Sequence, residues 1–184
     1  MKSVEQQFSN SKEKVYYLLS SHPELLNDDK KLWISYLVMY FNLKNVLACA
    51  EPFRALCDLL FKEKINAATV LRLRQKYQKY QRSLSSSVKL KVWKVEKVEK
   101  EEKEDCKVLY VKSRISQLLK NYPALKENDN QLWISYLVMF HDLKNRLNKS
   151  ADPYEEFCNI VMDKEVPSIA TIRRSRQIIL NVTN

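Results

Sequence analysis

Apolar residues in this chain recur at three- and four-residue intervals, and the pattern is written twice. Val15, Leu18 and Leu19 have helical spacing, and Pro23 stops the run; Ile115, Leu118, Leu119 and Pro123 repeat it. The next stretch, LWISYLVM, occurs at Leu32–Met39 and again at Leu132–Met139. Widened to Lys31–Asn45 against Gln131–Asn145, 11 of 15 positions match, so the chain is a tandem duplication. Each copy of the stretch follows a polar bend, Asn27-Asp28-Asp29 or Asn128-Asp129-Asn130. Such short side chains accept hydrogen bonds from the free amides of a helix start. Read as a helix, Trp33, Tyr36, Leu37, Tyr40 and Phe41 form a broad apolar face, with Ile34 and Val38 on the other side. That predicts a second helix buried nearly all round, with Trp33 and Trp133 as core anchors. A buried strand is the competing reading, because the run is short and Ile, Tyr and Val suit strands. The match continues through Leu43, Lys44 and Asn45 without Gly or Pro, which favours one continuous helix.

Glu51-Pro52 and Asp152-Pro153 are helix-start signals. They predict third helices over Phe53–Lys62 and Tyr154–Met162, burying Phe53, Leu56 and Leu60 in one copy and Phe157, Ile160 and Val161 in the other. Cys57 and Cys158 are equivalent in these helices and read as small buried hydrophobes. Fourth helices are predicted over Ala67–Gln81 and Ile169–Val182. Between the copies, Ser85–Ser87 is a break and Val88–Val92 alternates like a strand. Glu96 with Lys100, and Glu99 with Lys103, then favour an exposed helix running into the second copy. The expected architecture is all-α: two tandem copies of a small four-helix, helix-turn-helix-like domain (residues 1–84 and 108–184) joined by a charged, partly helical linker over 85–107. A unit that small buries only about 60–65% of its unfolded surface. The copies are therefore expected to lean on each other or on a partner chain, a homodimer included.

Composition narrows the function. The chain has no glycine, which removes the phosphate-cradling loops that let a backbone approach a nucleotide. Its formal charge is +10, from 32 Lys and Arg against 22 Asp and Glu. The copies carry +6 and +3 of it and the linker +1, so the basic character belongs to the domains. Such a balance points to an anionic partner, nucleic acid first; an ordinary basic surface is the plainer alternative. None of the four cysteines forms a C-x-x-C pair, and no metal or cofactor is expected. No apolar run reaches the ~18 residues of a membrane span. We expect a cytoplasmic protein with reduced thiols and no membrane partner.

The fourth helices contain no acidic residue. The first carries Arg72, Arg74, Lys76 and Lys79, and the second Arg173, Arg174 and Arg176. Val70, Leu73, Tyr77 and Tyr80 share the opposite side of the first and are expected inside. Gln75 and Gln177, at matched positions, can address adenine, and arginine can bond a guanine edge through two hydrogen bonds. The openings are Asn66-Ala67-Ala68-Thr69-Val70-Leu71-Arg72 and Ser168-Ile169-Ala170-Thr171-Ile172-Arg173-Arg174. They resemble the Ser-x-x-Thr-Val/Ile-x-Arg opening of recognition helices in bacterial repressors. The resemblance implies that Asn66 or Ser168 caps the helix and that Val70 or Ile172 points inward. It also implies that Thr69, Thr171, Arg173 and Arg174 project where a helix N-terminus favours phosphate.

Each copy also resembles a small domain of Gram-positive phage and mobile-element proteins. The shared features are a Leu-Leu-x-x-x-Pro segment, an Asp-rich bend, an apolar helix and a late Pro-Ser-x-x-Thr-Ile-Arg-Arg-x-Arg-Gln, carried here by Pro167–Gln177. The first copy departs from it, with Ile65-Asn66 for Pro-Ser and Leu71 for one Arg. The resemblance implies a bacterial host cell. Enzyme readings find little: His22 and His141 are not equivalent in the repeat, H-E-x-x-H and G-x-S-x-G do not occur, and the adjacent Glu155 and Glu156 do not face each other on a helix. The sequence thus predicts a non-enzymatic DNA-binding regulator acting on duplex DNA. The alternative is a phage-encoded inhibitor or adaptor that contacts a host protein, such as a defence nuclease.

Overall fold

The computed structural model describes residues 8, 10–62, 65–85 and 101–182. Those residues form ten α-helices and no strand. The expected strand-like stretch at 88–92 and most of the linker lie outside them. In chain order the helices are α1 (Ser11–Ser21), α2 (Asp29–Phe41), α3 (Leu43–Leu47), α4 (Pro52–Lys62) and α5 (Ala67–Ser85), then α6 (Glu101–Asn121), α7 (Asp129–His141), α8 (Leu143–Lys149), α9 (Pro153–Met162) and α10 (Ile169–Val182). α6 begins inside the charged 85–107 stretch and continues without a break into the first helix of the second copy.

The boundaries have local causes. Asn10 Oδ1 accepts from Glu13 N at 3.0 Å and opens α1. His22 and Tyr122, each before a proline, are held out of the helical region and end α1 and α6. Asp28 and Asn128 each accept from two amides and open α2 and α7. Both copies of the repeated stretch are helices, so the strand reading falls. The continuous helix expected through Asn45 also fails. The backbone turns left-handed at Asn42 (φ 50°) and at Asp142 (φ 52°), and a short separate helix follows each. In a chain without glycine, a short polar side chain takes over this helix-ending conformation.

Trp33, Leu37, Trp133, Tyr136 and Leu137 are buried, and the buried side chains of both copies form one continuous core. Within each copy the first and second helices pack on the fourth: α1 and α2 on α5, α6 and α7 on α10. The third helices cross over. α4 packs on α7 and α8 of the second copy, and α9 packs on α2 and α3 of the first. This is the reciprocal pattern of a twofold interface, inside one chain. The ranges 1–84 and 108–184 therefore mark repeats of sequence that share a core.

Polar groups secure the exchange. Asn130 is 7% exposed and donates through Nδ2 to Leu60 O at 3.3 Å and to Ile65 O. Lys30 Nζ, at the equivalent place, donates to Asp163 O at 2.6 Å. Burial holds the Lys30 amine below its ordinary range, against the opposing pull of Asp163 and Asp28.

Asn130→Ala leaves two buried carbonyls without that donor. We expect a loss of about 1–3 kcal/mol in urea denaturation, with a single transition retained. A second expectation concerns pH. Burial, and then the charge of Arg114, hold the His141 imidazole below its ordinary range. The fold thus favours the neutral ring. Its contribution is present above the unfolded value of about 6.5 and is lost as pH falls through the lower folded value. His141→Phe, which installs the residue at the equivalent Phe41, should flatten the loss of Tm on acidification from neutral pH.

Candidate nucleic-acid interface

α5 and α10 touch each other, and with the edge of α6 they enclose an open cleft of about 900 Å³. Arg72 and Gln75 line it from α5, Arg173, Arg174 and Gln177 from α10, and Lys112 from α6. Ala68, Leu71, Ala170 and Ser175 form apolar and small parts of the wall, and Asp29 and Asp129 also reach it.

The openings of both fourth helices are capped as expected. Asn66 Oδ1 accepts from Thr69 N at 3.2 Å. Ser168 Oγ accepts from Thr171 N at 3.3 Å and lies 3.1 Å from Thr171 Oγ1. Val70 and Ile172 are buried, as are Leu73 and Tyr77. Tyr80 is the exception at 56% exposed: it lies one turn beyond Tyr77, whose ring meets Tyr16 of α1 at 5.1 Å.

Two of the expected contact residues serve the fold instead. Arg74 lies 2.6 Å from Asp29 and donates to Leu26 O at 3.2 Å. Arg176 lies 3.0 Å from Asp129 and donates to Lys126 O. Each arginine side chain is only 14% exposed. The partner aspartates open α2 and α7, where a helix N-terminus favours negative charge. Each arginine thus ties a fourth helix to the start of a second helix and to the bend before it. Burial raises the Asp29 carboxyl above its ordinary range, Arg74 pulls it back down, and Asp28 adds to the rise. With both aspartates paired, the acidic part of the cleft is neutralised.

Arg173 keeps a longer contact with Asp129, 3.6 Å, and stays 42% exposed. Arg72, Gln75, Arg174 and Gln177 are exposed. The cleft therefore gathers Arg72, Gln75, Ser168, Thr171, Arg173, Arg174 and Gln177 from the sequence expectation. Asn66, Thr69, Lys76 and Lys79 do not line it; both lysines are exposed further along α5. Lys112 was not expected, because it comes from a helix without a recognisable contact motif. The aspartates at matched positions 29 and 129 were the available signal that a matched arginine would be spent on each.

The helix-turn-helix packing expected of the third and fourth helices is not formed. Among the described residues α4 and α5 scarcely touch, and neither do α9 and α10. α4 and α9 pack instead on the short helix of their own copy, α3 or α8, and on the second and short helices of the other copy. Cys57 and Cys158, expected to be buried, are half-buried; burial pushes the Cys57 thiol up to about 11 and raises Cys158 as well. Among the described residues no helix is long and apolar enough to cross a membrane. Compared with known protein families, curated proteins and solved structures, the chain finds no match.

Arg176→Ala should lower stability by about 1–3 kcal/mol by removing the shorter of Asp129's two arginine contacts and the donor to Lys126 O. Arg174→Ala, two residues away and exposed, should change it by less than about 0.5 kcal/mol. Urea denaturation of the two variants checks the division of labour.

Proposed function

We propose that this chain is a nucleic-acid-binding protein of regulator type, working in the cytoplasm of a bacterial host through the α5–α10 cleft. One observation carries the reading: Arg72, Lys112, Arg173 and Arg174 converge on one cavity from three helices and both copies. Four cations around one space repel one another, and a polyanion relieves that repulsion while releasing its own counterions. The two glutamines supply donor and acceptor pairs for base edges. The resemblance of Pro167–Gln177 to phage and mobile-element domains supports the bacterial setting. The basic fourth helices remain the contact elements, but as two walls of one site instead of two helix-turn-helix heads.

A second reading, an inhibitor or adaptor that binds a host protein, is favoured by a different surface. Phe53, Cys57 and Phe61 of α4 face Ile134, Val138 and Met139 of α7 across an apolar groove of about 530 Å³. Met139 is 45% exposed there and Tyr122 51%. Exposed apolar area of this kind serves protein contacts more often than charged ligands.

Neutralising Arg72, Arg173, Arg174 and Lys112 together should cut affinity for mixed-sequence oligonucleotides at least about tenfold, with the fold kept by circular dichroism. Unchanged affinity in that variant would falsify the cleft assignment. If Met139→Glu instead abolishes the function of the protein in its host while nucleic-acid affinity is untouched, the second reading stands.

A further inference from the structure

Resting on the nucleic-acid reading, we infer that the ligand is one unpaired polynucleotide strand held between α5 and α10, not a duplex read by two separate helices. Size decides this. An α-helix with its side chains is about 10–12 Å across, and packed helices lie about 8–10 Å axis to axis. A touching pair thus presents a front about 20 Å wide, against a major groove about 12 Å wide that admits a single helix. Reading heads of a dimeric duplex binder must stand about 34 Å apart. Here the first half of α5, from Ala68 to Gln75, and most of α10, from Ile169 to Ile178, line the same cavity.

The matched residues converge where that separation would have parted them. Arg72 on one wall corresponds to Arg174 on the other, and Gln75 to Gln177. The cleft volume, about 900 Å³, falls within the ~300–1,000 Å³ of sites that enclose a flexible ligand. A single strand can thread such a space because its bases and backbone rotate independently. Guanidinium groups grip phosphate at two points, and their planes stack on unpaired bases. Among the described residues no aromatic side chain lines the cleft, so stacking there falls to the guanidinium planes and most of the grip is electrostatic. Exposed Lys79, two turns beyond Arg72 on the same side of α5, prolongs the basic track past the cleft mouth.

The test uses the full chain and three labelled probes of one length and mixed sequence: single-stranded DNA, single-stranded RNA, and the DNA duplex. Fluorescence anisotropy is read across a salt series. We expect a single strand to bind at least about tenfold tighter than the duplex. With four cations engaged, log K against log salt should fall with a slope of about −3. Arg72→Gln and Arg174→Gln should each weaken single-strand binding several-fold, while thermal melts stay unchanged. Equal or tighter duplex binding overturns the single-strand inference and leaves the nucleic-acid reading intact. Binding of no probe overturns both. A loss confined to one of the two substitutions overturns the two-walled site.

Discussion

The exchange of third helices is the contact on which the rest of this molecule depends. A single copy presents a second helix that is apolar nearly all round, and its own first and fourth helices cover only part of it. α9 covers α2, and α4 covers α7. Each copy completes the other, which is how a short duplicated unit reaches a continuous core. The crossing also brings α5 and α10 into contact, so the basic cleft exists only as a product of the pairing.

Electrostatics then sorts the cations into two groups. Arg74 and Arg176 are spent on Asp29 and Asp129, and together they fix the fourth helices to the bends before α2 and α7. A carboxylate that is half-buried or deeper needs such a partner, and removing one leaves the other stranded. Arg72, Arg173, Arg174 and Lys112 remain turned to the cavity. The same helix thus divides its cations between core and cavity, Arg72 turned to the cleft and Arg74 to Asp29 on α5.

Much of this is legible in the residues. Helix existence, the prolines that stop α1 and α6, the capping side chains, and the burial of Val70, Ile172, Trp33 and Trp133 all follow from spacing and local chemistry. What was not legible has a common cause: periodicity tells which face is apolar but not which element covers it. The crossover of α4 and α9 was therefore invisible, and with it the loss of helix-turn-helix packing. Asn42 broke an expected helix because left-handed backbone was carried by a residue that only sometimes adopts it. Arg74 and Arg72 look alike in a charge count, and only the matched aspartates tell them apart. Tyr80 belonged to the right stripe, one turn too far along.

One departure between the copies has a wider effect. Position 71 is a buried leucine, while its counterpart in the second copy is the half-exposed Arg173. Two identical subunits would be obliged to show the same residue on both sides of their axis. A fused pair is free of that obligation, and this one has used the freedom inside the cleft itself. Whatever lies along those walls meets unlike ends, so the site has a head and a tail and can impose a direction on its occupant.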